Sequence, residues 1–201
     1  MRLLALVLSA VCVAGCESWA GFGFRAESGE MARLHEVLAL ERGKVVADVG
    51  AGKGQLTFAL AKVVSEGQVF STEIDPGRLR RLREEVAAAK LANVTVLEAH
   101  ASETGLPANC CDAIVLRRVY HHLTDPSGLN AGLLRALRPG GVLAVIDFPP
   151  PFFFSRGPFG VPADNVTAEV KASGFELVRL IDDWPGRGPF ATYCALFRKP
   201  L

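Results

Sequence analysis

The sequence predicts an α/β fold: an open, doubly wound, mostly parallel seven-stranded sheet with helices on both faces. Three observations carry that expectation. Strand-like and helix-like segments alternate along most of the chain, the pattern of parallel strands joined by crossover helices. The run Val45-Val46-Ala47-Asp48-Val49-Gly50-Ala51-Gly52-Lys53-Gly54 ends a β-branched strand in glycines at alternate positions, with a helix-like segment behind it. Residues Val142 to Asp147 form an almost wholly apolar run, as a strand covered on both faces should.

Each element follows from its local pattern. Met31 to Leu40 carries Met31, Leu34, Val37, Leu38 and Leu40 near helical spacing. Lys44 to Val49 is the first strand, and Gln55 to Ser65 the helix after the glycines, with Leu56, Phe58, Leu60 and Val63 as its apolar side. Gln68 to Ile74 is the second strand. Asp75-Pro76 then opens a helix running to about Leu91, with Asp75 as cap and Pro76 at its first position. Its arginines, Arg78, Arg80, Arg81 and Arg83, have Glu84 and Glu85 beside them and read as a solvated face. Strands follow at Val94 to Glu98 and Asp112 to Leu116. Thr124-Asp125-Pro126 caps a helix ending at Leu137, and Arg138-Pro139-Gly140-Gly141 is a turn before the strand Val142 to Asp147. Val166 to Ser173 is a short helix stopped by Gly174, and Phe175 to Ile181 and Tyr193 to Phe197 are the last strands.

With 201 residues, 50% of them hydrophobic and a net charge of +1, the chain can build one full core. The near-zero charge excludes a basic track for nucleic acid. Residues 1–15 stand apart: Arg2, an apolar run from Leu3 to Val13, then small residues before Cys16. This is the pattern of an export signal, too short to span a bilayer comfortably. Val13-Ala14-Gly15-Cys16 resembles a bacterial lipobox, which implies a lipidated Cys16, a tether over residues 16–29, a globular domain over residues 30–201, and a membrane-associated lipoprotein facing the periplasm. The alternative is an uncleaved hydrophobic N-terminus on a cytoplasmic or membrane-bound protein. Five cysteines fit neither a disulfide framework nor a metal site. Cys110 and Cys111 are adjacent, so they could pair only through a strained ring, and they read with Cys194 as small apolar side chains.

The glycine loop is a nucleotide-type pocket, because glycine lets backbone approach a ligand and a following helix presents its amides. A dinucleotide fingerprint would place its third glycine at position 55, which is Gln55, and the P-loop spacing is absent. The second strand ends in Glu73, 23 positions after Gly50, where a carboxylate can accept from both ribose hydroxyls.

The chain here resembles the class I S-adenosylmethionine-dependent methyltransferases, which have a Rossmann-like fold. The resemblance covers about Met31 to Pro200 and rests on four ordered motifs. These are Val46 to Gly54, Val69 to Pro76, Cys111 to Leu116 with Tyr120-His121-His122-Leu123-Thr124-Asp125-Pro126, and Leu137-Arg138-Pro139-Gly140-Gly141-Val142-Leu143. It implies S-adenosylmethionine as cofactor. It also implies a cofactor set by position: Gly50, Ala51, Gly52 and Gly54 along the methionyl and sulfonium part, with Asp48 at the floor. Glu73 falls on the ribose, Ile74 on the adenine, and Arg117 just after the strand Asp112 to Leu116. The family's acid near the adenine amine is replaced by His100, leaving that contact to His100, the Ala101 backbone or Glu103.

Methyl transfer is an in-line displacement, and a base is needed only when the acceptor must lose a proton. Tyr120, His121 and His122 follow the fourth strand and are the candidate catalytic residues, a histidine being a suitable base near neutral pH. No Asn-Pro-Pro-Tyr motif follows that strand, so a small-molecule acceptor is expected. The Pro/Phe-rich stretch from Phe148 to Pro158 would form a lid or a packed loop, with Trp184 and Arg187 closing the same side. Two rival functions stand beside methyl transfer. One is an exported S-adenosylmethionine- or nucleoside-binding lipoprotein without turnover; the other is a dehydrogenase, which Gln55 disfavours.

Overall fold

The computed structural model describes residues 20–150, 160–185 and 192–201, with side chains from residue 29 onward. The export signal, Cys12, Cys16, most of the Pro/Phe-rich stretch and Arg187 lie outside the described residues. In chain order the elements are α1 (Ala20–Val37), β1 (Val45–Val49), α2 (Gln55–Val63), β2 (Gln68–Glu73), α3 (Pro76–Ala88), β3 (Val94–Glu98) and β4 (Cys111–Arg117). A single 3-10 turn, Tyr120–His122, comes next. Then follow α4 (Pro126–Ala136), β5 (Leu137–Asp147), α5 (Ala163–Ala172), β6 (Glu176–Trp184) and β7 (Thr192–Arg198).

The seven strands form one open sheet in the order β3-β2-β1-β4-β5-β7-β6. All are parallel except β7, which runs antiparallel to both β5 and β6. From β1 the chain steps outward through β2 to β3, then returns to β4 on β1's other side. The crevice at that reversal lies outside the strands' carboxyl ends and is where open α/β sheets bind ligands.

Strict alternation along the central strands gives each sheet face its own core. Ala47, Val49, Ile114, Leu116, Leu143 and Val145 point to one face and pack with Leu129, Leu133 and Ala136 of α4 and Val166 and Val170 of α5. Val46, Ala113, Val115, Ala144 and Ile146 point to the other, where Leu34 of α1 and Leu56 and Leu60 of α2 cover them. Doubly covered strands explain why β4 and β5 read as continuous apolar runs rather than alternating ones.

The expected caps form. Asp75 Oδ1 accepts from the Arg78 amide at 2.8 Å and Asp125 Oδ1 from the Gly128 amide at 3.0 Å, each before a proline at the helix start. Leu79, Leu82 and Val86 turn α3 inward and leave its arginines exposed.

Several boundaries differ from the sequence expectation; α5, for one, begins at Ala163 rather than Val166. Helix α1 begins at Ala20, inside the segment read as a tether, although Gly21, Gly23 and Gly29 argue locally against a helix. The packing of Leu34 and Leu38 under the sheet outweighs that propensity. Strand β5 starts at Leu137, so Arg138 to Gly141 is strand rather than turn. The Gly140 amide donates to the Lys199 carbonyl at 3.0 Å and the Lys199 amide to the Gly141 carbonyl at 2.9 Å, while a register shift between Cys111 and Ala113 absorbs the extra residues. Strand β6 runs on to Trp184, past the expected end at Ile181.

Cys110, Cys111 and Cys194 are free thiols, the last two buried. The Cys110 and Cys111 sulfurs approach to 2.7 Å. Burial pushes the Cys194 thiol up to about 12. Among the described residues, no helix is long and apolar enough to cross a membrane, and no three His, Cys, Asp or Glu side chains gather as metal ligands.

Candidate active site

The glycine loop between β1 and α2 is shaped by three left-handed residues: Gly50 at φ 75°, Gly52 at φ 59° and Gly54 at φ 74°. Two of them are also required by packing. A Cβ on Gly50 would stand 2.6 Å from Val119 Cγ2, and one on Gly54 would stand 2.4 Å from Leu82 Cδ1. Gly52 differs, because a Cβ there would meet nothing within 4 Å. Its left-handed backbone faces open space, the property of a loop built to admit a ligand.

Glu73 ties this loop to the next strand. Its Oε2 accepts from the Gly52 amide at 2.8 Å, while Oε1 accepts from the amides of Ile74 and Asp75, each at 2.9 Å. The Thr72 carbonyl accepts from the Gly50 and Ala51 amides at 3.0 and 2.9 Å. Glu73 is only 3% exposed, so its carboxylate is a fixed acceptor rather than a solvated charge. A carboxylate offers about four lone-pair sites, and three amide bonds leave capacity for a further donor. Ile74 beside it is 54% exposed, a large apolar side chain left open at the end of β2.

Asp48 lies at the floor. Its Oδ2 accepts from the Thr57 hydroxyl at 2.6 Å, and that hydroxyl is 2.8 Å from Ser71 Oγ. Burial raises the Asp48 carboxyl above its ordinary range, and the Thr57 hydrogen bond and the Arg117 charge pull it part of the way back. Arg117, at the end of β4, reaches Glu30 of α1, Nη1 to Oε2 at 2.9 Å, and Trp184 Nε1 donates to the other oxygen of Glu30 at 3.2 Å. Helix α1 is thereby fastened across the carboxyl ends of β4 and β6.

His100 and Ala101 sit in an exposed turn after β3, where His100 and Glu103 exchange backbone hydrogen bonds at 2.9 and 3.2 Å. The Ala99 amide donates to the Glu73 carbonyl at 3.1 Å, which brings this turn to the edge of the cradle.

The three candidates after β4 separate. Tyr120 is fully buried, and its hydroxyl accepts from Asn130 Nδ2 at 2.8 Å inside the core. It packs α4 against the sheet rather than facing the crevice. His121 is 6% exposed and meets Asp147, the last residue of β5, with Nδ1 at 2.8 Å from Oδ1 and 3.1 Å from Oδ2. His122 is exposed, its ring centroid 3.9 Å from that of His121. Partial burial lowers the His122 imidazole below its ordinary value; His121 and Arg78 add to the lowering, and Asp147 opposes it.

Asp147 escaped sequence reading. It closes a strand that otherwise reads as pure core, and an acid at the end of an apolar run was the signal that could have exposed it. Glu30 escaped as well, since it precedes the first recognisable motif.

Residues 47–145 match the family described as a methyltransferase domain. Among curated relatives, the ubiquinone/menaquinone biosynthesis C-methyltransferase UbiE of Marinomonas sp. (strain MWYL1) is 33% identical over 111 residues, 54% of this chain and 44% of the relative. The chain thus spans less than half the length of that protein. An Aquifex aeolicus S-adenosylmethionine-dependent methyltransferase structure superposes with a TM-score of 0.71 at 24% identity, covering 85% of this chain and 89% of the other. A Haemonchus contortus phosphoethanolamine N-methyltransferase 2, solved with S-adenosylmethionine, gives 0.71 at 17% identity over 86% and 52%. Those two likenesses establish the fold. Residues 47–145 thus carry a methyltransferase-domain match on a fold shared with S-adenosylmethionine-dependent methyltransferases.

Proposed function

We propose that this chain transfers a methyl group from S-adenosylmethionine to a small-molecule acceptor held at the carboxyl ends of β1, β4 and β5. The observation that carries the reading is the Gly52–Glu73 hydrogen bond, which presents an open, left-handed glycine and a buried carboxylate side by side. The residues fit the cofactor. Glu73 has acceptor capacity for ribose hydroxyls, Ile74 offers an exposed apolar face for adenine, and the glycine loop leaves room for the methionyl part. Asp48 and Arg117 flank that end, and His100 and Ala101 flank the adenine side. The bound cofactor supplies a methyl carbon activated by a sulfonium.

The chain's own task is positioning. Holding acceptor and methyl in line contributes on the order of 7 kcal/mol or more in well-aligned cases. The domain match and the C-methyltransferase relatives favour turnover over a binding protein without chemistry. Calorimetry on the folded chain should show S-adenosylmethionine binding, and release of S-adenosylhomocysteine with an acceptor extract should follow. Folded protein with no affinity for the cofactor would refute the reading.

The lipobox-like Val13-Ala14-Gly15-Cys16 further supports an anchored, exported form of the chain. Palmitate labelling in a bacterial host tests it: label on the wild type and none on Cys16→Ala is expected. Equal membrane association without label would instead favour an uncleaved hydrophobic N-terminus.

A further inference from the structure

We propose that His121 is the general base of this site, that Asp147 is its positioning residue, and that the acceptor is a neutral hydroxyl compound. The inference rests on the methyl-transfer reading and deepens it.

Asp147 is fully buried, and its carboxylate is held by two backbone amides. The Phe148 amide donates to Oδ1 at 2.9 Å and the His121 amide to Oδ2 at 3.2 Å. With its orientation set by those bonds, the carboxylate faces His121 Nδ1 at 2.8 Å. An ionised carboxylate only accepts, so the ring proton belongs on Nδ1 and the lone pair on Nε2. His122 lies against one part of the ring at 3.9 Å and Phe148 against another at 5.0 Å, which restricts rotation. The turn carrying His121 also packs on the cofactor loop, because Val119 occupies the space a Gly50 side chain would need. A base of defined tautomer therefore stands at the crevice, next to the loop expected to hold the methyl donor.

A paired imidazole of this kind is of use in methyl transfer where the acceptor must lose a proton. A carboxylate acceptor is already anionic, and a neutral amine offers its own lone pair. A hydroxyl is a weak nucleophile until its proton is leaving. In the step, the acceptor oxygen forms a bond to the methyl carbon while the carbon–sulfur bond breaks, its electron pair staying on sulfur as a neutral thioether. The hydroxyl proton passes to His121 Nε2. Positive charge thus leaves sulfur and appears on His121, where the buried Asp147 carboxylate stabilises it; the imidazolium then returns its proton to water.

The test uses the 201-residue chain with S-adenosylmethionine and two hydroxyl probes, phenol and 4-nitrophenol at mildly alkaline pH, where the second enters ionised. His121→Ala should lower transfer to phenol by about 100-fold or more, the usual span of general-base catalysis, and transfer to 4-nitrophenol by less than about threefold. Asp147→Asn should lower the phenol rate and displace the pH profile of kcat/KM, with cofactor affinity by calorimetry unchanged. Independently of any acceptor, nitrogen-15 NMR should find the His121 proton on Nδ1 in the wild type and redistributed in Asp147→Asn. Equal losses with both phenols, cofactor-bound wild type that methylates neither phenol, or a His121 proton resident on Nε2 would each overturn the assignment. Absence of cofactor binding would instead sink the methyl-transfer reading, and the tautomer would still judge the dyad.

Discussion

The Gly52 amide donates to Glu73 Oε2 across 2.8 Å, so the loop that would receive the cofactor's methionyl end is fastened by the carboxylate expected to receive its ribose. One side chain thus shapes the loop and offers the acceptor. Removing it should disturb both.

Glu73→Ala is therefore expected to weaken S-adenosylmethionine binding by roughly 10- to 100-fold. A single hydrogen bond to a charged group, worth about 1.5–3 kcal/mol, accounts for a loss of that size. Calorimetric titration measures the change; an affinity within twofold of the wild type would contradict the role.

The loop glycines should divide by what surrounds them. Gly54→Ala combines a left-handed backbone with a Cβ at 2.4 Å from Leu82 Cδ1, so it should lower stability by about 2–4 kcal/mol in urea unfolding. Gly52→Ala meets open space and carries only the backbone strain, about 1–2 kcal/mol. It should fold while losing cofactor affinity in larger proportion than stability.

Asp48 illustrates a function held at a cost in stability. Burial raises its folded carboxyl above the unfolded value, so the folded state binds its proton more tightly and stability declines as pH rises through that range. Asp48→Asn keeps a partner for Thr57 without the buried charge. The variant should match or exceed the wild-type Tm near pH 7 and bind S-adenosylmethionine more weakly; a large fall in Tm would argue that the charge is structurally required.

His122 has the opposite sign of dependence on protonation. Its folded value is lowered, so as pH drops through the histidine range the unfolded chain binds more protons and stability falls as pH falls. The contribution is intact above the unfolded value and is lost as pH falls through the folded one. His122→Gln should flatten the decline in Tm across mildly acidic pH, measured against the wild type in the same buffers.

Tyr120→Phe removes the hydroxyl that accepts from the fully buried Asn130. An unsatisfied buried donor costs about 1–3 kcal/mol, which should appear as a lower Tm. Restoring the loss with Asn130→Leu in the same chain would confirm that the pair is a packing device.

Much of this architecture was legible because it is written in short-range patterns. The alternate glycines dictate a left-handed loop wherever they fall, and Asp75-Pro76 and Asp125-Pro126 set helix starts through local hydrogen bonds. The core runs of β4 and β5 announce strands buried on both faces. Glu73 could be read because its place at the end of the strand after the loop follows from the crossover itself. By contrast, the start of α1 was hidden by its glycines, and the strand character of Arg138 to Gly141 depends on pairing with Lys199, 58 positions beyond Gly141.

The sequence by itself determined the sheet, the loop and the class of cofactor, since each depends on residues close in the chain. Only the tertiary structure decided which side chains meet at the crevice. Register pairs Arg117 of β4 with Ile146 of β5, so the next residue, Asp147, emerges beside the turn that carries His121. Glu30 likewise reaches Arg117 only because α1 packs across one face of the sheet. Those contacts join residues 26 and 87 positions apart, and strand register and helix docking, not local propensity, set distances of that kind.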